Sequence, residues 1–305
     1  MLLALPEILI RLLIFPGLLF SFIVGGLFYW FYRKVRARTQ GRIGPPWYQY
    51  FVDLIKLFSK ESNIHQTTVR YLSILAPVIS ICSLVLIAAI LPISSGTLMS
   101  FEGDLIIALY LLTIPGFAIG IAGLASRSPY GIIGSRREAR IAASYGIPFV
   151  LSALTVAFYT HSLTISSIVE YQLENGVFFL RYPLATIAFL LCLLPIMGRR
   201  PFDSPDADTE IIGGPLTEYS GTPLGLFELA NGIKWFVAPA FTIFLIFGGA
   251  ANVVELLLKC LGLVIIVSII DIVYTRYRTD QSFKFFLKWA LPLVLIDLIR
   301  SLIWP

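Results

Sequence analysis

Between Tyr71 and Pro92 the chain runs for 22 residues without a charged side chain, and this is one of several such runs. No other feature constrains the fold as strongly. A helix needs about 20 apolar residues to cross the hydrocarbon of a bilayer. Inside it every backbone amide must be paired within the structure, which leaves only helices and closed barrels. The runs here are unbroken and do not alternate, so a barrel is disfavoured. Eight spans are predicted, at 8–32, 69–92, 104–125, 141–161, 180–198, 225–249, 253–274 and 284–303. The fold class is all-α: a polytopic membrane protein with a single membrane domain over 1–305. Composition agrees, since 57% of the residues are hydrophobic and 13% charged, where soluble domains hold about 45–50% and about 25%.

The first run is too long for a cleavable signal core, and its basic flank follows it, so it reads as a retained span. Cys82, Cys192 and Cys260 each stand alone in apolar sequence, and His65 and His161 are the two histidines. That pattern offers no iron–sulfur, haem or zinc ligand set. No metal is expected on this chain, no catalytic residue is evident, and any redox chemistry is assigned to a partner.

Alternate loops differ sharply in Lys and Arg. The loops at 33–70, 126–140, 199–222 and 275–284 carry 17 of the 23 basic residues, while 93–103 has none and 162–179 has only acids. The positive-inside rule makes the four basic loops cytoplasmic and puts both termini outside. The formal charge of +5 is then a topology signal with no nucleic-acid partner behind it.

The first basic loop (33–68) contains "GRIGPPWYQYFVDLIKLFSKE". Trp47, Tyr50, Phe51, Leu54, Ile55 and Phe58 recur at helical spacing, with Gln49, Asp53, Lys56 and Lys60 opposite. This predicts an amphipathic interfacial helix at 47–60, started by Pro45-Pro46. It reads either as an anchor packed on the bundle or as the floor of a docking surface built from Arg42, Trp47, Asp53 and Lys56. In the second loop, Arg136, Arg137 and Arg140 read as headgroup or docking cations, and Glu138 among them reads as a paired carboxylate.

The third loop, "RRPFDSPDADTEIIGGPLTEYSG" (199–221), concentrates Asp203, Asp206, Asp208, Glu210 and Glu218 within sixteen residues. Ser204-Pro205-Asp206 has the chemistry of a helix start, which would place Asp206 and Glu210 on one face. Clustered carboxylates raise one another's pKa and can pass protons on. The bland alternative is a solvated acidic loop. Phe202, Ile211, Ile212, Leu216 and Tyr219 weigh against it, as do Glu228 and Lys234 within the following apolar run, because intramembrane charges usually mark ion paths or buried pairs. Asp271 and Asp297 are lesser candidates, with Asp297 expected to pair locally with Arg300. Arg199 and Arg200 join the docking cations.

"RRPFDSPDADTE…EYSG…LFELA" resembles the R-x-P-F-D-x-x-E-A-E-x-E…E-Y-S-G…F-x-L-A signature of the subunit 1 family of respiratory complex I, also known as its H subunit. "GRIGPP…FVDLIKLFSKE" is similar to that family's first cytoplasmic loop. "GPPWYQ" and "SRREAR" look closer to the equivalent membrane subunits of energy-converting membrane-bound [NiFe] hydrogenases and their sulfur-reducing relatives. The resemblance implies an anchor and coupling subunit in a cell membrane. Its partners would be cytoplasmic [NiFe]-type large and small subunits, an Fe–S subunit and antiporter-like membrane subunits. Fe–S clusters and a [NiFe] centre would belong to those partners and no cofactor to this chain. It also implies that Asp203, Asp206, Asp208 and Glu210 face the hydrophilic arm, while Glu218 and Glu228 begin a charged path inward. Where the family has a "SYE" carboxylate, this chain has Gly146, for which either Glu138, two turns earlier, or a partner's side chain would substitute. The alternatives are a quinone-chamber subunit of a complex I-type enzyme, with the chamber between the first span, the amphipathic helix and the sixth span, and a stand-alone secondary transporter, for which no inverted repeat is visible.

Overall fold

The structure is a computed structural model describing residues 10–63, 68–93 and 99–303, without the side chains of Asp208 and Thr209. His65 and the Asp208 carboxylate therefore lie outside the described residues. All regular structure among them is helical. In chain order the elements are α1 (Leu18–Thr39), α2 (Gln49–Ser59), α3 (Arg70–Ile90), α4 (Asp104–Ala125), α5 (Pro129–Thr160), α6 (Ile165–Asn175) and α7 (Phe178–Arg181). They continue with α8 (Pro183–Ile196), α9 (Asp208–Ile211), a 3₁₀ turn at Gly214–Leu216, α10 (Gly221–Ile246), α11 (Val253–Val273), α12 (Thr279–Phe285), a π segment at Phe286–Ala290 and α13 (Leu291–Ile303).

Among the described residues, six helices are long and apolar enough to cross a membrane: Ile10–Thr39, which bends before α1, then α3, α4, α5, α10 and α11. The other two predicted spans take different forms. The 180–198 run becomes the short α7 followed by the 14-residue α8, separated by the pre-proline residue Tyr182, whose backbone is pushed out of the helical region. The 284–303 run is part of a longer helix, α12 through α13, that widens into a π turn midway.

α10 forms the axis. From Trp235 to Ile246 its sequence is apolar on every side, which suits a helix enclosed by others, and every residue from Gly232 to Ile246 is buried. α1, α2, α3 and α11 pack around it. Two glycines set the closest approach. A Cβ on Gly25 would collide with the Gly232 carbonyl oxygen, and one on Gly232 with the Tyr50 hydroxyl. Small residues let membrane helices meet backbone to backbone, where dispersion has to replace the missing hydrophobic drive.

α5 runs for 32 residues, about 48 Å at about 1.5 Å per residue, against about 30 Å of hydrocarbon. The predicted span began at 141. The helix starts at 129, so Arg136–Arg140 sit on a projecting shaft of α5 and not in a loop. The amphipathic helix forms as expected, with Tyr50 and Leu54 buried against the bundle and Trp47, Ile55 and Phe58 exposed. Trp30 Nε1 donates to the Pro45 carbonyl at 3.0 Å and pins its lead-in.

The acidic loop folds differently from expectation. Its helix spans only Asp208–Ile211, begins after Ala207 and has no side-chain cap. Asp206 thus precedes the helix and shares no helical face with Glu210. The loop is compact because it is wedged between other elements. The 3₁₀ turn inserts between α4 and α5, with Pro215 so close that a Cβ on Gly134 would lie 2.6 Å from its nitrogen. The Tyr277 amide also donates to the Pro201 carbonyl at 2.8 Å, which ties the fourth basic loop to the third.

Candidate functional site

Where the acidic loop meets the start of α10, the bundle holds a cavity of about 270 Å³. Its wall includes Asp203, Asp206, Glu228, Asn231, Lys234, Arg199 and Tyr29. Lys234 is 8% exposed on the most enclosed helix, and the charges acting on it are Arg199, Glu138, Asp206 and Glu228. Glu228 sits one and a half turns nearer the loop and accepts a hydrogen bond from Asn231. Burial at such a position is tolerable only when countercharges and hydrogen bonds stand in for water.

Asp203 guards the loop side. Its carboxylate meets Arg276 Nη2 at 2.8 Å. Burial raises its pKa to about 6 and the Asp206 charge adds to this, while the hydrogen bond and charge of Arg276 oppose it. A carboxyl poised near pH 6 can take up and release protons under ordinary conditions.

Two expected roles change. Arg199, predicted to face a docking partner, turns inward. Its guanidinium lies 4.5 Å from the Tyr32 ring centre, 4.9 Å from Trp235 and 5.6 Å from Tyr29. It also donates to the Tyr32 hydroxyl at 3.2 Å. Arg199 Nε and Trp235 Nε1 are buried without hydrogen-bond partners among the described residues. An aromatic cage of this kind attracts a desolvated cation by about 2 kcal/mol, and Asp271 and Asp203 act on its charge from outside the cage. The carboxylate that pairs with the α5 arginines is not Glu138. Arg137 Nη1 binds Glu210 at 2.6 Å, which turns Glu210 away from the Lys234 cavity. Glu138 instead points across to α4, where its Oε1 lies against Gly116, within electrostatic range of Asp206, Lys234 and Asp203.

Glu218 does not join this group. It is exposed beside Asn63 and Tyr219 at a separate small cavity. Gly146 is half-buried on α5, with open space where a side chain would stand. Asp271, a lesser candidate, is central to a second network: buried on α11, it accepts from the Tyr32 hydroxyl at 2.9 Å and the Arg200 amide at 3.2 Å, with Arg36 Nε at 3.7 Å. It ties α1, α11 and the start of the acidic loop together. Asp297 does not pair with Arg300; it is buried and accepts the Ala185 amide at 2.8 Å, while Arg300 donates to the Arg181 carbonyl. The N-terminal end of α8 leaves amides without partners in its own helix, and the carboxylate satisfies one of them.

Of the other docking candidates, Arg42 and Trp47 are exposed, Lys56 is exposed, and Asp53 accepts from Gln49 at 2.7 Å with Arg33 at 3.7 Å. A cavity of about 500 Å³ opens between α1, α2 and α10, lined by Tyr29, Arg33, Asp53, Lys56, Lys60 and Glu228 among others. The Tyr50 hydroxyl closes its floor by donating to the Glu228 carbonyl at 2.7 Å.

Sequence reasoning missed Tyr29, Tyr32, Arg36, Asn231, Trp235 and Arg276. Tyr and Trp near span ends look like interfacial belt residues, and Arg36 and Arg276 look like topology signals. Only the short step from Glu228 through Asn231 to Lys234 on one helix hinted at a polar seam.

The chain is similar to known proteins along nearly its whole length. The family model described as NADH dehydrogenase matches residues 11–302. The NADH-quinone oxidoreductase H subunit of Geobacillus kaustophilus is 31% identical over 288 residues, covering 88% of this chain and 86% of the relative. That of Salinibacter ruber is 28% identical over 301 residues, covering 88% and 87%. A chain from the membrane-bound sulfane sulfur reductase, an archaeal respiratory membrane complex, superposes with a TM-score of 0.90 at 28% identity, covering 97% of this chain and 99% of that one. Motifs, helical architecture and matches of this extent agree: the chain belongs to the NADH dehydrogenase subunit 1 family, that of the H subunits of NADH-quinone oxidoreductases.

Proposed function

We propose that this chain is the membrane anchor and coupling subunit of an ion-pumping respiratory oxidoreductase complex, of the membrane-bound hydrogenase or sulfur-reductase type, in a cell membrane with its basic loops and acidic loop on the cytoplasmic side. The observation that most supports the reading is the continuous charged cavity from Asp203 and Asp206, at the loop, to Glu228 and Lys234 inside α10. A protonation or redox event in an electron-transfer arm docked on the acidic loop changes the charge seen by Asp203 and Asp206. Coulomb energy between unit charges scales inversely with dielectric and distance. In a water-poor seam the change reaches Glu228, Lys234 and Glu138 and is handed to neighbouring antiporter-like subunits. Caged Arg199 keeps a fixed positive field beside that seam. The sulfur-reducing branch draws support from the likeness of the whole chain to a chain of the sulfane sulfur reductase.

The test is extraction of the native complex in mild detergent with identification of co-purifying chains. A [NiFe]-type large subunit, Fe–S subunits and antiporter-like subunits are expected, and nickel content with product analysis separates hydrogenase from sulfur reductase. A chain that purifies alone and monodisperse would sink the reading.

A second reading, a quinone-chamber subunit, draws on the cavity of about 500 Å³ between α1, α2 and α10. Its lining carries Leu54, Leu57 and Leu224 for an apolar ring and tail, and Arg33, Lys56 and Lys60 as donors to ring carbonyls. Photo-crosslinking with an azido-quinone would favour this reading if label appeared on α2, and would count against it if label were spread evenly.

A further inference from the structure

Beside the acidic loop, on the flank away from Lys234, lies a second cavity of about 620 Å³ between the projecting part of α5, residues 204–210 and the start of α12. Arg136, Arg137, Arg140, Arg276 and Arg278 line it, together with Glu210, Asp280 and Ser204. Three carboxylates hold three of the arginines: Glu210 holds Arg137, Asp203 holds Arg276, and Asp280 stands 3.9 Å from Arg278 at the exposed rim. Arg136 and Arg140, one turn apart and exposed, have no acidic partner among the described residues. Two positive charges are left over.

An independent observation points to a ligand. Ser204 is 3% exposed, and its Oγ is buried with no hydrogen-bond partner among the described residues, as is Arg276 Nε. Both residues line the cavity. Buried polar atoms are nearly always paired; neither orphan has surface open to the cavity, so both gain partners only if the loop shifts as the cavity fills. The surroundings narrow its chemistry. α5 exceeds the hydrocarbon thickness and carries Arg136 and Arg140 near its N-terminal end. Ile133 and Tyr277 line the cavity with the arginines, and Phe283, one turn beyond Thr279, is exposed and apolar. An anionic head between arginines with apolar side chains alongside is the arrangement a phospholipid meets. Arginine also suits phosphate, which it grips through two parallel N–H bonds.

We propose that this cavity is a binding site for a phosphate group, of the kind carried by an anionic phospholipid headgroup, with Arg136 and Arg140 supplying the charge and Ser204 and Arg276 on the wall that closes on it. Filling it would join α5, the acidic loop and α12 at the edge of the coupling seam, so bound phosphate would stiffen the loop that an arm docks on. The proposal does not depend on which electron acceptor the complex uses.

The test uses the complex as extracted, delipidated in detergent, then given phosphatidylglycerol, phosphatidylcholine or inorganic phosphate and read by native mass spectrometry. Expected is retention of phosphatidylglycerol over phosphatidylcholine. It should fall at least tenfold in the double variant Arg136→Gln/Arg140→Gln and less than twofold in Arg38→Gln/Arg70→Gln, which removes as much charge elsewhere. Competition by millimolar inorganic phosphate would assign the site to a free anion, and lack of competition to a lipid headgroup held also by its chains; either keeps the site. Equal retention in parent and Arg136/Arg140 variant, or no preference for phosphatidylglycerol and no phosphate bound, would overturn it. Circular dichroism of the variants guards against misfolding, and Ser204→Ala, which removes no charge, should weaken retention with the fold intact.

Discussion

At the scale of single residues, the acidic loop shows how little a cluster of like charges says until its partners are known. Asp203 and Glu210 each meet an arginine, Glu218 stands outside, and among the loop's described carboxylates Asp203 and Asp206 border the Lys234 cavity. The Asp203 pKa near 6 gives a signed prediction. The folded state binds this proton more tightly than the unfolded chain does. The stabilisation is therefore complete below about pH 4 and lost as pH rises through about 6. Relative to Asp203→Asn, which does not titrate, the parent should lose on the order of 3 kcal/mol across that window, since each pKa unit is about 1.4 kcal/mol. Denaturation midpoints at stepped pH check this, and a difference that stays flat or grows with pH would rule it out. Arg276→Gln should move the Asp203 midpoint above 6 by removing the group that lowers it, visible in the carboxyl infrared band. A fall would contradict the structure.

At the scale of elements, the meeting of α1, α2 and α10 depends on atoms that are absent. Gly25 and Gly232 allow contact that any side chain would block. Gly232→Val should cost on the order of 1–3 kcal/mol through overpacking and push α2 off the bundle, reported by faster proteolysis near Lys60. Tyr50→Phe, which removes only the bond to the Glu228 carbonyl, should cost about 1 kcal/mol. If the two variants lowered the melting temperature equally, the close approach would not be what holds these helices.

At the scale of the whole molecule, the coupling reading predicts separation of two activities. Lys234→Ala or Glu228→Gln should leave electron transfer in the purified complex within about twofold while ion movement in proteoliposomes falls tenfold or more. Lys234→Arg, which keeps the charge, should recover part of it. Loss of both activities together would mean that these residues hold the assembly together and carry no signal. Glu138→Gln tests the neighbouring carboxylate in the same assay, with Gly146→Glu as its complement, because α5 has open space at Gly146.

Legible in the sequence alone were the class of fold, the family, the gathering of basic residues between alternate pairs of apolar runs and the presence of Glu228 and Lys234 within one such run. These follow from hydropathy, charge asymmetry and motif spacing, which are local properties of a chain in an apolar solvent. The sequence did not determine which carboxylate pairs with which arginine, that Arg199 turns into a cage of Tyr29, Tyr32 and Trp235, that the loop helix begins at Asp208, or that Asp271 and Asp297 each satisfy a distant backbone amide. Those outcomes depend on groups far apart in sequence coming within hydrogen-bonding reach. Only the packing of α1, α5, α10 and α11 against one another sets such distances, and interaction energies that fall off within a few ångströms leave no periodic trace in the sequence.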